Sequence, residues 1–476
     1  MKNLTVSAFL FVLAGSAAAA TVSSVSVTQM KPWSSKVKVD YELQDVSGPT
    51  DIRVEFYSGA TKLAANIKYA LKGDDFYGVT TSGKKSFSFE PKEVFGEGVL
   101  SYADFKVKLT AVDSPANANE VIYKIFTLPT AYQGAMPCEN VTRADILNGK
   151  YGTYETDYGA IGPGFKTSLD DVLIWTGVTN DIAYKTSKLV MRKIPAADKS
   201  FLIGGSAADA AKAEVRFGSD YWMSVFEMTC YQHRLLYRLT NSSYSYSPYE
   251  NSSADRTAVI SGSITVSDIC AADRLSPVAA CGGNWPERQH STIGTWNPCW
   301  HLKKSSGLLF DLPTSAEWEF SARAGTTTAL PSGKDFSAAN MAEIARSYGI
   351  NCKIAQNHPD YKDVSPKPEF PPASCGLDYG CTIVGSYRPN AYGLYDMMGN
   401  ALEACLDYYN STVQPFGGTD PKGPTSPGAT TYGAQRVIRG GSYRYQFQDV
   451  GFIGSGWSDW RTEDFGYRIC LHEVDK

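Results

Sequence analysis

The sequence predicts two folded parts: an immunoglobulin- or fibronectin-like β-sandwich over residues 21–130, and a larger domain of short strands, long loops and two helices over residues 186–476. Three observations carry this reading. The chain has 476 residues, more than one hydrophobic core usually organises. Its 29 Tyr, 9 Trp, 42 Gly and 24 Pro suit strands and turns better than a helical bundle. Residues 21–130 also contain polar–apolar alternation, as in Val37-Lys38-Val39-Asp40-Tyr41, where every second side chain can face a core.

The elements follow in order. Lys2, the apolar Leu4–Ala14 run and the small Ala18-Ala19-Ala20 site read as a signal peptide over residues 1–20. The expected location is therefore secreted, periplasmic or at the cell surface. The apolar run is too short to span a bilayer and no longer one follows, so no membrane insertion is expected. Strands are predicted at Ser24–Thr28, Lys36–Leu43, Ile52–Tyr57, Lys85–Phe89, Asp104–Val112 and Val121–Leu128. Turn-formers such as Ser47-Gly48-Pro49 and Asp113-Ser114-Pro115 separate them. Residues 131–185, rich in Gly, Tyr and Asp, form an ordered connector. Beyond it, Ser315–Ala324 reads as a helix capped by Thr314 or Ser315 and ended at Gly325. A second helix starts near Ser337 and runs through Ala345. Residues 241–253 and 359–376 are loops.

The formal net charge of −4 gives no basic field for nucleic acid. All ten cysteines lie between Cys138 and Cys470, and an even count in an exported chain reads first as disulfides. No C-x-x-C occurs to suggest structural zinc of the usual spacing. The five histidines, His233, His290, His301, His358 and His472, are dispersed. No Gly-x-Ser-x-Gly elbow marks a serine nucleophile.

Several segments, in order, resemble the sulfatase-modifying factor, or formylglycine-generating enzyme, family. They are Lys188–Pro195 with Phe201–Gly205, Tyr221–Thr229, Leu312-Pro-Thr-Ser-Ala-Glu-Trp-Glu-Phe320, Pro389-Asn-Ala-Tyr-Gly-Leu-Tyr-Asp-Met-Met-Gly-Asn400, Arg439-Gly-Gly-Ser-Tyr443 and Phe465-Gly-Tyr-Arg468. The resemblance implies a C-type-lectin-like α+β fold low in regular secondary structure. It also implies a disulfide between Cys299 and Cys470, and a structural calcium site built from the Asp396 and Glu403 side chains with the Gly399 and Ala401 carbonyls. Calcium takes six to eight hard oxygens, and a Gly-Asn turn bracketed by two carboxylates suits that need. A second calcium site would lie around Asn340 and Asp378.

The family's enzymes hold copper(I) with two cysteines shortly after the Gly-Gly-Ser. Here Tyr445 and Val450 stand at those positions, and no cysteine lies between Cys405 and Cys470. A phenol and an isopropyl group cannot replace two soft thiolates, so copper is not expected and no catalytic residue is assigned. The same stretch is rich in contact chemistry: Tyr443, Arg444, Tyr445, Phe447, Trp457, Trp460 and Arg461. Such residues suit recognition of a protein or glycan ligand. The leading expectation is a non-catalytic binding protein. The alternatives are an oxidase of the formylglycine-generating type, or another enzyme in the same pocket, and a structural or adhesin role.

Overall fold

Where the front of the chain alternates, it forms strands. In the computed structural model these are β1 (Thr21–Gln29), β2 (Val37–Gln44), β3 (Thr50–Ser58), β4 (Gly83–Phe89) and β5 (Phe105–Asp113). The structure describes residues 20–29, 35–65, 70–96, 102, 104–156, 172–205, 211–239, 258–276, 297–347, 380–413, 415–426, 434–444, 449–457 and 462–473. The proposed signal peptide lies almost wholly outside these residues, as do the loops expected at 241–253 and 359–376. Two units emerge, Met1–Val121 with Val141–Tyr154, and Ile122–Asn140 with Glu155–Lys476.

In the first unit β1, β2 and β4 make one antiparallel sheet and β3 pairs with β5 in another. Every second residue of β2 is buried, from Val37 to Leu43, and the same holds for β3 from Thr50 to Phe56. Val39, Leu43, Ile52, Phe56, Phe87 and Phe89 from both sheets meet in one apolar cluster. Each such side chain contributes on the order of 1.5–3 kcal/mol by leaving water. The period-2 pattern thus does what the sequence predicts.

The last expected strand of this unit behaves differently. β6 (Val121–Thr127) pairs antiparallel with β8 (Lys188–Ile194), and so enters the central sheet of the second unit. Its burial pattern explains this: Ile122, Tyr123, Ile125 and Phe126 are all buried, so both faces need covering, as in a central strand. The sheet order is β10 (Leu309–Asp311), β15 (Cys470–His472), β9 (Tyr221–Ser224), β8, β6 and β7 (Cys138–Thr142). A second sheet combines β13 (Gly454–Trp457), β12 (Gln435–Arg439), β11 (Leu402–Tyr408) and β14 (Phe465–Gly466).

Helices are few and short. α1 (Cys230–Arg238) starts at a Thr229–Gln232 capping box, and α2 (Pro298–Ser306) starts at Asn297 and ends at the left-handed Gly307. α3 (Ser315–Arg323) begins as expected, with the Thr314 side chain accepting from the Glu317 N–H and Glu317 reaching back to the Thr314 N–H. The helix expected from Ser337 is one turn, Ala338–Ala342, with Ser337 as its cap. Among the described residues no helix is long and apolar enough to cross a membrane.

Candidate functional site

The sequence Asp396-Met-Met-Gly-Asn400 makes a tight turn before β11. Asp396, Gly399 and Asn400 all have positive φ, of 54°, 73° and 60°, a region that favours Gly and tolerates Asn and Asp. Gly399 is required for a second reason: a Cβ there would lie 2.2 Å from the Arg346 carbonyl oxygen. The Asn400 side chain locks the turn. Its Oδ1 accepts from the Thr382 N–H at 2.7 Å and its Nδ2 donates to Glu227, which also accepts from the Ala401 N–H at 3.0 Å.

Glu403 follows on β11 and is held by two partners. Both its oxygens receive the Arg468 guanidinium at 2.7 Å, and Oε2 also accepts from the Trp318 indole at 2.6 Å. Arg468 is fully buried and donates further to the Ser224 and Tyr395 carbonyls, each at 2.9 Å. Bidentate, charge-assisted pairs of this kind are strong only when every donor is satisfied. Here they are.

Three carboxylates, Glu227, Asp396 and Glu403, are therefore buried around one arginine. Burial, then the charges of Asp396 and Glu403, push the Glu227 carboxyl well above its usual range. Burial lifts Asp396 to about 6, opposed by the Gly385 N–H and by Arg468. The Gly385 amide reaches Asp396 Oδ2 at 2.6 Å, while the buried Oδ1 has no hydrogen-bond partner among the described residues. Asp396 also borders a small cavity with Arg388, Asn390 and Met398. A buried carboxylate oxygen with no hydrogen-bond partner among the described residues, close to two further buried carboxyls, fits a cation. Glu403 fits less well, because Arg468 and Trp318 already hold it. Its carboxylate retains lone-pair capacity for a further contact.

Against this turn packs the segment expected to bind ligand. Gly440 and Gly441 have φ of 83° and 71°, and the chain doubles back so that Gly440 O accepts from the Gly399 N–H and the Tyr443 N–H donates to Asn400 O. Tyr443 is 0% exposed, so it is a packing residue rather than part of an open surface. Arg444 is half-buried and pairs with Glu463 at 3.2 Å. Ser442 donates to the buried Asp464 at 2.6 Å. The Trp457 backbone pairs with Gln435. Tyr445, Phe447, Trp460 and Arg461 lie outside the described residues, as does the Trp457 side chain. The Asn340 side-chain amide donates to the Asp335 carbonyl, while Asp378 is outside the described residues.

The expected Cys299–Cys470 bridge is not formed; both side chains are buried thiols. The Cys470 sulfur faces the His472 imidazole at 3.4 Å and the Glu317 carboxylate at 3.8 Å instead.

Sequence reasoning quoted Glu227, Trp318, Asn400 and Arg468 within motifs but gave them no role. Their signal was the polar residue inside an apolar run, as in Val225-Phe-Glu-Met228, which a buried partner must explain.

Residues 193–472 match the sulfatase-modifying factor enzyme 1-like domain. The chain belongs to this family. Among curated relatives it is 31% identical over 192 residues to a formylglycine-generating enzyme of Streptomyces coelicolor, covering 38% of this chain and 52% of the relative. To the formylglycine-generating enzyme of Bos taurus it is 32% identical over 174 residues, covering 34% and 40%. The chain thus spans about half, or less, of the length of these relatives. Similar solved structures are PvdO from Pseudomonas aeruginosa, with 20% identity, TM-score 0.41 and coverage of 60% of this chain and 94% of that one, and Treponema denticola variable protein 1, with 21% identity, TM-score 0.38 and coverage of 60% and 95%.

Proposed function

We propose that this protein is an exported, sulfatase-modifying-factor-type binding protein that recognises a protein or glycan ligand without copper chemistry. Its second unit is read as a C-type-lectin-like α+β domain, and its first as an immunoglobulin- or fibronectin-like sandwich that presents it. One observation carries the non-catalytic part. Of the two positions where the family's enzymes place copper thiolates, one is Tyr445 and the other is Val450, which is 1% exposed within the apolar core. Cys405 shares that core, but burial and the Asp407 charge push its thiol well up, the reverse of what a thiolate ligand needs. The test is a copper(I) titration of the full chain together with a Cys-x-Pro-x-Arg peptide. No stoichiometric copper and no oxygen-dependent peptide conversion are expected. Tight one-to-one copper binding with turnover would establish the alternative, an oxidase of the formylglycine-generating type. A glycan and protein array then asks what is bound.

A structural calcium ion fits the second unit, held by the Asp396 and Glu403 side chains and the Gly399 and Ala401 carbonyls. It would satisfy the unpartnered Asp396 oxygen and stiffen the turn against the Gly440–Ser442 segment. Calcium is expected to raise the unfolding midpoint of the wild-type chain and EDTA to lower it, with the effect lost in Asp396→Asn. An EDTA-insensitive midpoint would sink this assignment.

A further inference from the structure

A second buried cluster, outside the Asp396 turn, brings together three different metal-ligating groups. Cys470 and His472 are two residues apart on β15, so both side chains leave the same face of the sheet. Glu317 reaches that face from the first turn of α3, where its Oε2 is fixed by the Thr314 N–H at 2.9 Å. The Glu317 Oε1 lies 3.2 Å from His472 Nε2, the Cys470 sulfur lies 3.4 Å from the same nitrogen, and the sulfur lies 3.8 Å from Glu317 Oε2. All three residues are at most 3% exposed. One ligand atom from each lies within 4.8 Å of the others.

We propose that Glu317, Cys470 and His472 form a buried three-residue site for a divalent transition metal of the zinc class. The spacing supports it quantitatively. Around a tetrahedral zinc with ordinary bond lengths, ligand atoms stand about 3.4 Å apart for nitrogen and oxygen and about 3.6 Å apart for sulfur with either. The two separations that share His472 Nε2, 3.2 Å to Glu317 Oε1 and 3.4 Å to the Cys470 sulfur, fall within a few tenths of an ångström of those values, and the sulfur lies 3.8 Å from the second Glu317 oxygen. The donor set, one thiolate, one imidazole and one carboxylate, is borderline in softness and selects zinc or cobalt(II) over calcium or magnesium. Charge agrees too: a thiolate and a carboxylate neutralise a dication, leaving no net charge in a site that excludes water.

The surroundings are those of a held ligand set. The Tyr221 ring packs 5.9 Å from the His472 ring, and its hydroxyl donates to the Glu317 carbonyl at 2.9 Å, so one side chain positions two ligands. Asp311 on β10 stands directly across the ladder from Cys470, on the same face, where its Oδ1 accepts from the Leu312 N–H at 2.8 Å, outside the three-residue donor group. Such an ion would tie β15, the strand next to the edge of the central sheet, to the start of α3. This inference rests on observations separate from the calcium and copper readings.

The experiment uses the full chain purified under reducing, chelator-free conditions. One equivalent of zinc is expected, and X-ray absorption should show a single sulfur with nitrogen and oxygen donors. Replacement by cobalt(II) should give a sulfur-to-cobalt charge-transfer band. Cys470→Ser and His472→Gln should weaken zinc binding more than about 100-fold, beyond what loss of an outer partner costs, while the exposed Cys138→Ser leaves it unchanged. A folded wild-type chain that takes up no zinc overturns the proposal, whatever the variants do. So does a charge-transfer band that survives Cys470→Ser, a metal with several sulfur donors, or a Cys299–Cys470 disulfide peptide recovered from thiol-blocked protein.

Discussion

The two units solve the problem of a stable interior in opposite ways. In the first, the only buried polar residue among those described is Thr50, and ion pairs such as Lys38–Asp40 and Lys106–Asp104 lie on the surface. In the second, Glu227, Glu319, Asp396, Glu403, Asp407, Arg346, Arg439 and Arg468 are all nearly inaccessible to water. Surface pairs contribute about 0–1 kcal/mol, so the first unit is held by its apolar cluster. In the second, each buried charge costs several kcal/mol of desolvation and persists because its partners are in place. A chain with many short strands and loops has few ladder hydrogen bonds to fix its long connections, and buried side-chain networks do that here.

The largest expected effect tests this contrast directly. Arg468→Met removes the guanidinium that satisfies both Glu403 oxygens and two carbonyls, and is expected to destabilise the second unit by about 3–5 kcal/mol. Hydrogen exchange read peptide by peptide should show the loss in β9, β11 and β15 with β2 and β3 unchanged. Adding Glu403→Gln should recover part of it, since the uncompensated charge is then gone. A loss under about 1 kcal/mol would mean that apolar packing, not the ion pair, supports the second unit as it does the first.

The same contrast explains what was legible in the sequence. Five strands of the first unit were readable because Val37, Val39, Tyr41 and Leu43 alternate with polar residues and the core obeys that period. β6 was assigned to the wrong sheet because its double-sided burial leaves no alternation to follow. α3 was legible through its capping box. α1 and α2 were not, although Thr229-x-x-Gln232 and Asn297-Pro298 carry cap signals, because Cys, Tyr, His and Trp are indifferent helix formers. At the site, motif resemblance located Asp396 and Glu403, but nothing local to either announces Glu227 or Arg468, whose contacts span 173 and 65 positions. The cluster of Glu317, Cys470 and His472 was invisible for the same reason: it exists only once α3 lies over β15.

A smaller effect, with opposite signs in the two units, sharpens the comparison. Asp407 is buried on β11 and accepts from the Ser315 N–H at 2.6 Å. Burial holds its carboxyl at about 6, against about 3.9 when unfolded. Between those values the folded state carries the extra proton, so stability is greatest at low pH and falls as pH rises from about 4 through about 6, by on the order of 2–3 kcal/mol. In the first unit, Glu55 is held below its usual range, first by hydrogen bonding to Lys62, so its contribution is present at neutral pH and is lost only as pH falls below the ordinary carboxylate range. Asp407→Asn keeps an acceptor for the Ser315 amide and abolishes the ionisable group. It should therefore flatten the second unit's dependence between pH 4 and 6, measured as exchange protection of β11 and α3, and leave β3 untouched. The remaining slope belongs to Asp396, Asp464 and Glu227, which are shifted in the same direction. An unchanged slope in the variant would place Asp407 among groups ionised in both states, and the carboxyl would then have to be solvated in a way its burial does not allow.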